Sequence, residues 1–60
     1  VIAIGDYAKT VTRLAPIGSI RFNNKVMEAK ALEGMIDSGV EVEVVLIEDN
    51  KIYVSPVKNM

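Results

Sequence analysis

Four sets of side chains in this sequence have the types that chemistry requires. Glu41 and Glu43 alternate along one run, so on a strand they point the same way, as a pair of acid–base carboxylates would. Glu48 and Asp49 are adjacent acids. Ser19, Ser38 and Ser55 are hydroxyls that a lysine could activate. Phe22, Tyr7 and Tyr53, with Arg21, Lys25 and Lys30, are the aromatic and basic residues that single-stranded nucleic acid would stack on and be neutralised by. Each set has a plainer reading. The two glutamates suit the solvated face of a strand, Glu48-Asp49 is an ordinary polar turn, and nothing around any serine singles it out. Phe22 belongs to a core, and the basic residues are interspersed with Glu28 and Glu33. The chain has no His and no Cys, so the commonest general base, nucleophile and metal ligands are missing. The expectation is no catalytic residue, no cofactor site and no metal site.

The elements that position these residues are organised around residues 14–29, which read as turn, strand, two-residue hairpin and strand. Pro16 presets φ for a turn and Gly18 is expected to supply a left-handed backbone where the chain enters the strand. Asn23-Asn24 separates two alternating runs, and Asn tolerates the left-handed conformation a type I′ turn needs. Ile20 and Phe22 then share a face that Met27, Ala29 and Ala31 continue, leaving Ser19, Arg21, Glu28 and Lys30 toward water.

Ahead of the hairpin, residues 5–14 alternate Asp6, Ala8, Thr10, Thr12 and Leu14 against Tyr7, Lys9, Val11 and Arg13, which predicts a first strand with a small inner set. Strands two and three fall near 18–22 and 25–32. Residues 33–39 are too short for a stable helix and are read as a loop in which Ile36 plugs one end of the core. From Val40 to Val44 the alternation is strict, and Val45-Leu46-Ile47 breaks it. Either a bulge near Val44 and Val45 shifts the register, or the outward face becomes covered. Ile52 to Pro56 is a fifth strand, inward at Ile52 and Val54, with Pro56 ending its pairing or sitting on an edge.

The expected fold is therefore all-β: a five-stranded, OB-fold-like β-barrel with a short connector between strands three and four. A small SH3-like barrel is the structural alternative. Residues 1–60 read as a single domain, and the start at Val1 reads as a fragment of a longer chain. At this length only about 60% of the unfolded surface is buried, so the core must be well packed. Seven basic and eight acidic residues argue against a polyanion binder.

Two resemblances bear on function. Met27-Glu28-Ala29-Lys30 is superficially similar to biotin and lipoyl carrier domains, but Lys30 lies well beyond the Asn23-Asn24 turn and has Ala on both sides. A second resemblance runs through Gly5, Ala8, Thr10, Leu14, Pro16, Gly18, the hairpin, Ala29, Gly34, Ile36, Gly39, Val42, Val44, Val54 and Pro56. In that order and spacing the chain resembles the C-terminal domain of NfeD-type membrane proteins. Asn24 departs from the Gly frequent in that family and still serves a left-handed turn.

What the resemblance implies is a small OB-fold attached behind transmembrane helices, in longer members also behind a ClpP-like serine protease domain. The partner it implies is a stomatin or flotillin-like membrane protein, met in membrane organisation or quality control. It implies no catalytic or cofactor residue in this domain, and contact with the membrane only through the rest of the parent chain. On this reading the chain is a non-catalytic protein-interaction module. Its expected contact residues are Val45 and Ile47, extended by Val11 and Tyr7 if strands one and four pair, with self-association through the same patch as a second use. The alternative is a module for single-stranded nucleic acid, a partner the composition does not favour.

Overall fold

The computed structural model describes residues 1–57. Its strands are β1 (Tyr7–Thr10), β2 (Ile17–Phe22), β3 (Lys25–Ala31), β4 (Glu41–Glu48) and β5 (Lys51–Pro56). They close into a barrel in the order β1-β2-β3-β5-β4. Every pairing is antiparallel except a short parallel one, in which Lys30 and Ala31 of β3 meet Tyr53 and Val54 of β5. This is the OB-fold-like plan expected from the strand order.

Two hairpins set the registers. Asn23 and Asn24 have φ of 50° and 66°, and Asp49 and Asn50 have φ of 53° and 63°, the double left-handed backbone of a type I′ turn. Phe22 therefore lies opposite Lys25, and Glu48 opposite Lys51. Counting back from the first turn puts Ile20 inward, where it is fully buried with Leu14, Val42, Val44 and Val54. Ala8, Ala29, Ala31 and Ile36 complete the buried set, and Ile2, Phe22, Met27, Val40 and Ile52 pack around it. Small residues on β1 and β3 let the barrel close tightly over the larger β4 and β5 side chains.

The first strand is shorter than the alternation of residues 5–14 suggests. After Thr10 the chain bends: the N–H groups of Val11 and Thr12 both donate to the Ser19 carbonyl, and Thr12 is exposed. The bend carries Leu14 back over the barrel, where it forms an isolated antiparallel bridge with Ile36. Each of those residues donates its N–H to the other's carbonyl, at 2.8 and 3.0 Å. The connector thus has no helix and Ile36 closes the core, as expected.

Gly18 is a correction. It has no left-handed φ; the positive-φ glycines are Gly5, Gly34 and Gly39. A Cβ at Gly18 would stand 2.5 Å from the Arg13 carbonyl oxygen, 2.6 Å from Leu14 Cδ2 and 2.7 Å from Thr12 Oγ1. The requirement is close approach of the folded-back segment, not backbone freedom.

The broken alternation in β4 is a bulge. Val44 lies opposite Val54 and Leu46 opposite Tyr53, so Val45 is the extra residue. Deleting Val45 should consequently leave the β4–β5 partners in place: Val44 with Val54, Leu46 with Tyr53, Ile47 with Ile52. Deleting Val42 should instead draw Glu41 into a fully buried position and unfold the chain. Amide shift dispersion of the two deletions checks this; an unfolded Val45 deletion would refute the bulge.

Candidate functional site

The outer face of the barrel carries the residues the sequence nominates. β1 and β4 do pair, with Tyr7 opposite Glu43, Ala8 opposite Val42 and Lys9 opposite Glu41. Tyr7 is 58% exposed and stands one alternation step from the bulge at Val45 on the neighbouring strand. Val45 is half-buried. The Gly5 N–H donates to the Val44 carbonyl, which lays the segment before β1 along this part of β4. Val11 is 41% exposed but lies just past the far end of β1, with Lys9 between it and Tyr7. Ile47, past the bulge, is exposed and pairs with Ile52, which packs against the core. Tyr7 and Val45 are thus brought together, while Val11 and Ile47 mark opposite ends of the surface.

Because of the bulge, Leu46 lies opposite Tyr53 and is exposed to the same extent as Ile47. The register then continues from Tyr53 to Lys30 and from Lys30 to Ile17, one outward row across β4, β5, β3 and β2. Lys30 Nζ sits 5.7 Å from the Tyr53 ring centroid, so its stem and the ring cover one another while the ammonium stays at the surface. Leu46, Tyr53 and Ile17 are the contact candidates that pattern reading missed. The signal was present: a two-residue turn at Asp49-Asn50 pairs Glu48 with Lys51, and counting back from it puts Leu46 beside outward Tyr53.

The candidates for reaction chemistry are dispersed. Glu41 and Glu43 face out beside Lys9 and Tyr7, and Ser55 lies across from Glu43. Ser19 gives its backbone N–H to Thr12 Oγ1 at 2.9 Å. Among the described residues no three His, Cys, Asp or Glu side chains gather as a metal site would require. Tyr7 and Tyr53 are separated by the width of β4, and Phe22 packs against the core, so the three aromatics form no stacking platform. No described helix is long and apolar enough to cross a membrane. Shallow hollows mark the surface among the described residues. One, of about 160 Å³, lies where β3 and β5 diverge and is lined by residues that include Ile17, Glu28, Lys30 and Lys51. Another, of about 250 Å³, is lined by Lys9, Thr10, Val11 and Arg21.

An exposed face carrying Tyr7 and Leu46, with polar residues around it and only open, shallow hollows beside it among the described residues, suits contact with another macromolecule better than capture of a small molecule. Comparison with known proteins agrees. The model of the NfeD-like C-terminal, partner-binding domain matches residues 2–56. The C-terminal domain of stomatin operon partner protein 1510-C from Pyrococcus horikoshii is similar in structure, with a TM-score of 0.85 at 26% identity, over 93% of this chain and 89% of that one. No curated protein matches the sequence.

Proposed function

Since the chain belongs to the family of NfeD-like C-terminal, partner-binding domains, we propose that it is the non-catalytic, partner-contacting end of a membrane-anchored protein. Its partner in this reading is a stomatin or flotillin-like membrane protein, and the pair acts in membrane organisation or quality control. The observation that carries the reading is the match of residues 2–56 to a partner-binding domain. The partner's class is supported by the structurally similar archaeal domain, which is described as a stomatin operon partner.

The contact surface is centred on Tyr7 and Val45, with Leu46 beside them and Val11 and Ile47 at its two ends. An exposed tyrosine is suited to such a role because it adds a large apolar area and a hydroxyl at low entropic cost. Binding of the chain to a stomatin-type protein of the same genome, followed by calorimetry, tests this. Tyr7→Ala should weaken the complex about tenfold or more, and Val45→Thr with Leu46→Thr should weaken it while leaving the barrel folded. A folded chain that binds no stomatin-type protein would remove that partner. Normal binding by folded Tyr7→Ala and Val45→Thr variants would move the contact elsewhere. Concentration-dependent sedimentation of the chain alone would show the patch used between copies.

A further inference from the structure

On the outer face of β1 and β2, Lys9 and Arg21 stand directly opposite one another. Like charges directly opposite one another across an antiparallel pair are destabilising. Both side chains are exposed, and the ion pair among the described residues, Arg13 with Asp37, involves neither. With Thr10 and Val11 they line the hollow of about 250 Å³. The outward residues of β1 are Tyr7 and Lys9, one two-residue step of about 7 Å apart, and exposed Val11 follows where the chain bends after Thr10.

Resting on the reading of the chain as a partner-binding domain, we infer that this hollow receives one carboxylate from an extended acidic–apolar segment of the protein partner. The carboxylate is held between the Lys9 ammonium and the Arg21 guanidinium, which offers a two-pronged donor. An apolar side chain two residues from the acid then lies over Tyr7, since an extended segment repeats at the same spacing as β1, and one on the other side of the acid meets Val11 at the rim of the hollow. A nucleic-acid backbone is a poorer occupant. Glu41 lies across from Lys9 on the other side, and Glu43 and Glu28 are diagonal to Lys9 and Arg21, so the positive site is one carboxylate wide and fenced by negative charge.

The direct probe is an acetylated peptide with Leu, Glu and Leu at alternate positions separated by Ser, titrated against the chain at low salt and followed by amide shifts. Saturable shifts at Lys9, Val11 and Arg21 are expected, with binding about tenfold weaker when Gln replaces Glu. Shifts centred elsewhere, equal binding of the Gln peptide, or no saturation would overturn the inference, as would tighter binding of a single-stranded oligonucleotide. In parallel, the double variant Lys9→Gln, Arg21→Gln should stay folded, because both side chains are exposed. It should also bind the stomatin-type protein about tenfold more weakly, with a flatter salt dependence. If the parent binds that protein and the double variant binds equally well, the hollow has no part in recognition and the partner reading stands. If the Glu peptide saturates the hollow while no stomatin-type protein binds, the hollow stands and that partner falls.

Discussion

Gly18→Val should cost about 3 kcal/mol or more, whereas Ser19→Val should change stability by no more than about 0.5 kcal/mol. A chain of sixty residues holds only about 3 to 9 kcal/mol in all, so the first variant should be largely unfolded at room temperature. The reason is the bend after β1, which brings the Arg13 carbonyl, Leu14 Cδ2 and Thr12 Oγ1 within 2.7 Å of the point where a Cβ would sit. Two of those atoms have nowhere to go. The Arg13 oxygen is backbone, and Leu14 is fully buried and tied by its own backbone to Ile36. Ser19, by contrast, faces outward, and a β-branched residue suits a strand. Gly18→Asn separates this cause from backbone freedom: Asn accepts a left-handed φ but carries the same Cβ, so it should be nearly as damaging as Val. Chemical denaturation of the three variants decides it, and a stable Gly18→Asn would show that close approach is not what the position demands.

That example shows which parts of the fold were legible in advance. Asn23-Asn24 between two alternating runs left one economical arrangement, and the structure adopts it because a two-residue turn fixes the register of both flanking strands at once. Gly18 looked like a turn glycine because it follows Pro16 by two residues. Its actual reason, a segment folding back across it, is a tertiary contact that local pattern cannot carry. The end of β1 was misjudged for the same cause: Val11 and Thr12 have strand-like character, but both their N–H groups converge on the Ser19 carbonyl and turn the chain away.

The contact surface was legible in part. Exposure of Tyr7 follows from strict alternation against buried Ala8 and Thr10, and the pairing of β1 with β4 sets Tyr7 near Val45. The place of Leu46 opposite Tyr53, in addition to exposed Ile47, could have been found by counting from Asp49-Asn50 instead of forward from Val40, since a bulge corrupts only counts that cross it. The opposed Lys9 and Arg21 were invisible at the level of sequence, because twelve positions separate them and only the β1–β2 register brings them together.

Thr10→Val should destabilise the chain by about 2 kcal/mol, more than Thr10→Ser, although Val is the closer match in volume. Thr10 is 3% exposed and its hydroxyl does two things at once. It donates to the Asp37 carbonyl at 2.7 Å and accepts the Val40 N–H at 2.9 Å. The backbone of Thr10 adds two more ties, donating to the Val40 carbonyl and accepting the Gly39 N–H, both at 2.9 Å. Four hydrogen bonds from one residue therefore fasten the end of the connector to β1. Val keeps the backbone pair but leaves a donor and an acceptor unpartnered in a part-buried place, whereas Ser keeps the hydroxyl and loses one methyl, worth about 1 kcal/mol. The exposed Arg13–Asp37 ion pair, at 3.9 Å, adds too little to compensate. The expected order of stability is Thr10, then Ser, then Val, with hydrogen exchange at the Val40 amide accelerated most in the Val variant. Because the Leu14–Ile36 bridge is a separate anchor, the connector should loosen at residues 37–40 while Ile36 stays seated in the core. A Val variant as stable as the parent, with Val40 still protected, would show that packing at this position outweighs the hydroxyl.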